Sequence, residues 1–456
     1  MRFSALSGDG FTMAPKVVLR SVVLALLAIG LVLLFARPNP VERHYPNRIQ
    51  VRFWHMWSAE WKVVVDRIVD RYNHSQNKYE VIALSVPEGA DAKFLLGAMG
   101  GDPPDVMAQW NAVIPTWAQG GMLTPFEEIM TPQERHKFET ESYPIVHRVG
   151  QYKGLTYGFP IGVQVSGVFY LPDAFKKAGF DKLPTTWEEL VKVSAKLTQR
   201  DADGQITRLG FLPSSWPDTA PLFGGGIYDF KKDRLDIGNP KNLACLENLV
   251  ALRKRDGYDA VNRFQSGLNT QSFGGGWPFI GGAYAAAVDG PWRVQQIAQY
   301  APNLHYATAL TPPPGGGTAG AGLGSGNFMV IPRSAREKQG AWDFIKYWSG
   351  LEDPDTAAQF YIWGGWLPPS DAVANAPLYR EYIREHPQFG TFVQAIKSDK
   401  IQARPPVAYQ VFIADELTKI EDLAMRGEIT PRQAVTQLQT EVDREIARRK
   451  RLGYDE

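Results

Sequence analysis

The side chains able to do chemistry in this chain are mostly aromatic. Thirteen tryptophans stand among its 456 residues, several of them in short loops: Trp57 in HMWS at 55–58, Trp110 in QWN at 109–111, Trp216 in SSWPD at 214–218 and Trp292 in DGPW at 289–292. A loop indole either packs beneath its own loop or offers a flat apolar face to a ligand. Other chemistry finds no constellation. Cys245 is the single cysteine, which excludes an internal disulfide framework and any CxxC site. The seven histidines include no HExxH and no close pair, so no metal site is expected. Gly322, Gly324 and Gly326 alternate in a long glycine loop without the strand and helix that frame a dinucleotide site. Asp201–Gly204 echoes a calcium loop but is one residue short and lacks the closing glutamate, so it reads as a tight turn. There is no GxSxG elbow, and nothing assembles a nucleophile, a base and an oxyanion site. The chain is therefore read as a non-enzyme without cofactors.

Composition narrows the class further. Lys plus Arg is 49 against 48 acidic residues, a net charge of +1 with no basic patch, which argues against nucleic acid as a partner. A chain that is 44% apolar and 21% charged is globular, and its length suits two or three domains. Residues 17–36 form an apolar run broken only by Arg20, long enough to cross a bilayer. No small-x-small cleavage site ends it and no cysteine follows, so it is read as an uncleaved signal anchor, with 1–16 cytoplasmic and 37–47 a linker.

Beyond the linker an alternating α/β pattern begins. Ile49, Val51 and Phe53 share one face of a strand. After HMWS, with Ser58 as the cap, comes a helix striped by Trp61, Val64, Val65, Ile68, Val69 and Tyr72. A second strand spans 79–86, a helix lies near 91–99, and GDPPDV at 101–106 leads into a third strand. This order implies parallel strands with right-handed crossovers, and ligands of such sheets bind outside the strands' carboxyl ends. His55–Ser58 and Gln109–Asn111 fall at that edge. Trp57 is offset from the stripe that begins at Trp61, so Trp57 is read as cleft and Trp61 as core. Thr186 and Glu189 form a capping box that opens one later helix, and Thr430, Pro431 and Gln433 open another.

Nine fragments occur in an order that resembles the extracellular sugar-binding proteins of ABC importers, the group that includes maltose-binding protein. They are FWHMWS, GDPPDV, AQWNAVIPTWAQGGML at 108–123, YGFPIGVQVSGVFYLPDAFKKAGF at 157–180, PTTWEEL at 184–190, AVDGPWRV at 287–294, NFMVIPRSAREKQGAWDFIKYW at 327–348, GGWLPP at 364–369 and QARPP at 402–406. The resemblance implies an α/β two-lobed periplasmic-binding-protein fold of type II, with 46–161 plus 326–366 in the first lobe and 162–325 plus 367–456 in the second. It implies a monomer outside the cytoplasm that captures a sugar by lobe closure and delivers it to permease and ATPase subunits. A pyranose offers a C–H face to aromatic rings and a hydroxyl rim to Asp, Asn, Gln, Glu or Arg. On that basis the ligand would meet Trp57, Ser58, Gln109, Trp110 and Asn111 from the first lobe. Gln164 would meet it at the first crossing, where hinge backbone is an equal alternative. Asp289 and Trp292 match the GPW turn, and Gly365 and Trp366 match a loop that closes over ligand. Trp216 is read either as packing or as stacking. Arg404, held by two following prolines, would chelate hydroxyls or pair with a carboxylate, and Tyr409 completes the set. Two alternatives stay open. A membrane-anchored carbohydrate hydrolase would place two acids about 5–10 Å apart, and a binding protein for a non-sugar anion would use helix N-termini and arginines.

Overall fold

The computed structural model describes residues 44–268 and 276–454, so the anchor expected at 17–36 lies outside the described residues. Among the described residues no helix is long and apolar enough to cross a membrane. The chain divides into a short unit ending at Arg48 and a unit spanning 49–456. In the short unit the Arg48 N–H donates to Tyr45 O at 3.0 Å.

The larger unit opens with the alternation read from the sequence: β1 (Ile49–His55), α1 (Ala59–Ser75), β2 (Tyr79–Ser85), α2 (Ala90–Gly100), β3 (Val106–Trp110) and, after one 3-10 turn, α3 (Ile114–Gln119). Both β2 and β3 pair with β1 in parallel. Val51, Phe53 and His55 point inward from β1, and α1 buries Val65, Ile68, Val69 and Tyr72. Such a stripe at 3–4-residue spacing is what holds a helix to a sheet. The chain then runs along β4 (Phe159–Gln164) into a second sheet of β5 (Gly167–Tyr170), β6 (Ala286–Asp289) and β7 (Ala307–Ala309), ordered β6-β5-β7 and antiparallel throughout. It returns as β8 (Ser325–Val330), which inserts between β3 and β4 and runs antiparallel to both. The first sheet is therefore mixed, in the order β2-β1-β3-β8-β4. The parallel expectation holds for its first three strands, while β8 emerges from the end of the glycine-rich segment read as a loop.

Helices cover both sheets. The second sheet carries α4 (Trp187–Leu197), α5 (Pro240–Asp256) and α6 (Trp292–Tyr300). The first carries α7 (Lys338–Ser349), while α8 (Pro354–Gly364) packs on α1 and α7, and the chain closes with α9 (Gln410–Arg426) and α10 (Pro431–Arg451). Three short helices between residues 371 and 396 pack against both α8 and β7. Thr430 and Gln433 form the full reciprocal capping box at α10. At α4 only the Thr186 hydroxyl engages, accepting from Glu189 N–H. Ser58 does occupy the N-cap of α1, but its side chain makes no capping bond. Asp105 ties β3 to its surroundings: one oxygen accepts from the N–H of Arg52 (2.8 Å), the other from those of Arg336 (3.0 Å) and Glu337 (3.1 Å). Asp105 is thus a structural residue that fastens β3 to β1 and to the 336–337 turn.

Candidate ligand-binding cleft

β1, β3 and β4 all end at one edge of the first sheet. Gln164, the last residue of β4, pairs with Ser325, and the chain reaches the second sheet at Gly167, which pairs with Asp289 at the end of β6. The short crossing at 164–167 therefore brings the end of β6 and the start of α6 against the carboxyl edge of the first sheet.

Trp110 is the open ring at this edge, 46% exposed at the end of an otherwise buried strand. Its neighbours are engaged with the protein. Gln109 Oε1 accepts from Trp110 N–H (2.9 Å), and its Nε2 donates to Asp91 Oδ1 (2.6 Å). Burial raises the pKa of Asp91, and the bond from Gln109 offsets part of that rise. Asn111 Oδ1 accepts from Gly326 N–H (3.2 Å), which pins the end of β3 to β8. Both polar side chains thus hold the platform of Trp110 in place.

Three predicted stacking rings are not open platforms. Trp57 is 8% exposed and Trp366 3%; together with Trp348 of α7 they form one aromatic cluster with centroids 5.4–5.9 Å apart. Trp366 lies flat on β4, where a Cβ at Gly162 would stand 3.3 Å from its ring. Trp57, read as cleft, lies in the core, while Trp61, read as core, is half-buried against that same cluster, and its Nε1–H donates to Gly364 O (3.3 Å). The third is Trp216, 0% exposed inside the core of the second sheet, where its Nε1–H donates to Asn242 O (2.9 Å). No face of that indole is left for a ligand.

The second wall begins at Asp289. Its Oδ1 accepts from Gly290 N–H and its Oδ2 from Arg293 Nε, each at 2.8 Å. Burial raises its pKa, and Arg293 opposes that rise. Trp292 is half-buried with its ring against Gly290, where a Cβ would come within 1.9 Å of the indole. Gly365 sits at φ +64 in the cap of α8, and a Cβ there would stand 3.1 Å from Trp292 Cα, so this pair requires glycine. Trp57, Trp292, Gly365 and Trp366 are thus brought together with Trp61.

Arg404 and Tyr409 follow Gln402, which pairs with Leu323 just before Ser325, and Ala408 O accepts from Thr116 Oγ1 (2.7 Å) a few residues beyond Trp110. Arg404 lines a small recess with Pro217, Gly226, Gln402 and Gln410, and has no hydrogen-bond or ion-pair partner among the described residues. Tyr409 is buried under the Arg449 guanidinium (5.5 Å) and lines a separate groove of about 900 Å³ between the 147–154 segment and α10. No tryptophan lines that groove, while the helix that begins after Tyr409, α9, packs on the 111–113 turn that follows Trp110. Sequence reasoning missed Glu60, Arg293, Gln295, Gln296 and Trp348, all of which the fold gathers here. Trp348 sits at ordinary core spacing in a helix, and the polar four form no motif. Among the described residues no cluster of His, Cys, Asp or Glu could hold a metal ion.

Comparison with known proteins agrees with this architecture. A mannotriose-bound structure of CpMnBP1 superposes with a TM-score of 0.76 at 26% identity, covering 86% of this chain and all of that one. The sugar-binding protein MalE of Xanthomonas citri gives 0.71 at 22% identity, over 89% of this chain and all of that one. Among curated relatives, the sn-glycerol-3-phosphate-binding periplasmic protein UgpB of Salmonella typhimurium is 22% identical over 427 residues, 86% of this chain and 91% of that protein. The maltotriose-binding protein of Pyrococcus abyssi is 22% identical over 78% of this chain and 74% of its own length. The family model described as bacterial extracellular solute-binding protein matches residues 67–388. The fold is therefore the α/β two-lobed, MalE-like one, and the chain belongs to the bacterial extracellular solute-binding protein family.

Proposed function

We propose that this protein captures a carbohydrate between its two lobes outside the cytoplasm and presents the closed form to the permease of an ABC importer, without changing the sugar chemically. The lobes are 46–161 with 326–366, and 162–325 with 367–456; residues 17–36 tether them to the membrane. The observation that carries the reading is Trp110, an exposed indole on a rigid strand end. An aromatic platform there suits the C–H face of a pyranose. Relatives named for maltotriose, and a structure holding mannotriose, support the ligand class. Trp292 would provide the ring on the opposite wall, with Ser58, Gln164 and Asp289 nearby. A phosphorylated polyol is the second reading, favoured by the unpartnered Arg404 and by the relative named for sn-glycerol-3-phosphate.

Calorimetry with mannobiose, mannotriose, maltotriose and glycerol-3-phosphate separates the two. A sugar should bind, raise the melting temperature by mass action and be recovered intact after hours. Trp110→Ala should weaken that sugar at least tenfold, about 1.4 kcal/mol, and leave the melting temperature of the free protein unchanged. Binding of glycerol-3-phosphate alone, lost in Arg404→Ala, would transfer the function to the second reading. Turnover of the sugar would refute a pure capture role.

A further inference from the structure

One set of polar side chains joins helices of the two sheets at the cleft. Asp289 at the end of β6 accepts from Arg293 Nε (2.8 Å), and Arg293 donates through a terminal nitrogen to Gln296 Oε1 (2.8 Å). Gln296 Nε2 then donates across to Glu60 Oε1 (3.2 Å) at the start of α1. Beside it, Gln295 Nε2 donates to the carbonyl of Trp363 in α8 (2.7 Å). Gln296 is 1% exposed and Arg293 8%, so the bond between them is buried, while the cross-helix bonds to Glu60 and to the Trp363 carbonyl are part-buried. Arg293 is further braced by the Trp277 ring, 4.7 Å from its guanidinium carbon.

The order of residues along α6 gives this arrangement its meaning. Trp292, the proposed ring of the second wall, is the first residue of the helix, and the two bridging amides follow one turn later. Glu60 stands just after the HMWS loop on the facing side. We infer that Gln295 and Gln296 are positioning residues that convert ligand contact at Trp292 into lobe closure, by docking α6 onto Glu60 and the Trp363 carbonyl. The chemistry of the bridge fits a joint that must open and reclose. A glutamine amide has no charge to desolvate on each closure, unlike a lysine opposite Glu60. Each bond exchanges with water at a small net difference, so the pair holds without locking, and a bound ligand tips the balance.

This inference rests on capture by closure, and the test keeps the two failures apart. Spin labels at Thr140→Cys and Lys241→Cys in the full-length protein report the distance between lobes, Cys245 being buried. Gln296→Ala and Glu60→Ala should shift the ligand-free distances toward longer values. They should also weaken mannotriose or maltotriose five- to tenfold through faster dissociation, with the melting temperature held. Glu60→Gln keeps an acceptor for Gln296 and should restore both readouts. If the wild type binds neither sugar, the carbohydrate reading fails, while the ligand-free distances still test the bridge. Distances in the alanine variants that match the wild type overturn the inference.

Discussion

Trp216→Ala should lower stability by about 3–5 kcal/mol and leave sugar affinity within twofold of the wild type. The indole is fully enclosed among the helices of the second sheet, so its removal opens a cavity that the surrounding elements fill only in part. The change also removes the bond that the indole N–H donates to Asn242 O, a modest loss because that carbonyl lies within the ladder of α5. Denaturant unfolding and calorimetry measure the two quantities separately. Lost affinity at unchanged stability would make Trp216 a ligand platform after all.

Glu421→Gln should stabilise the protein by about 3 kcal/mol at pH 8 and do nothing at pH 4. Burial of the Glu421 carboxyl raises its pKa from 4.5 to about 7; the Trp216 N–H opposes this, while Asp218 and Asp422 add to it. The folded state therefore prefers the protonated form more than the unfolded chain does. The stability so gained is complete below about pH 4.5 and is lost as pH rises through about 7. Glutamine stays neutral throughout and keeps an oxygen for the Trp216 N–H, 2.8 Å away in the wild type. Melting curves of the two proteins should thus diverge across that window. Parallel curves would mean that Glu421 is hydrated and titrates normally.

The division between what could be read from the sequence and what could not follows the range of the interactions. The alternation in β1, the stripe of α1 and the Thr430–Gln433 box are set by residues two to four positions apart, and each appears where the spacing requires it. The edge holding Trp110 followed from strand order, since parallel strands place their carboxyl ends together. Exposure of individual rings did not follow. Trp57 and Trp216 sit in loops with polar neighbours, yet Trp348 and Trp366 enclose the first and Asn242 receives the second. Those partners come from distant parts of the chain and carry no local signature. The same holds for Glu60 and Gln296, two ordinary helix residues until the fold sets them 3.2 Å apart.

The place of β8 between β3 and β4 bears on how the molecule is made. Synthesis delivers β1 to β4 early, but the strand that joins β3 to β4 emerges only after the whole second sheet. The N–H groups of Arg336 and Glu337 that Asp105 awaits come later still. Until then β3 and β4 have unpaired margins and the buried carboxylate lacks two of its donors. Long-range pairing of this kind slows folding and leaves incomplete chains prone to association. A chain leaving the ribosome therefore cannot complete its first sheet until residues 325–337 have been made.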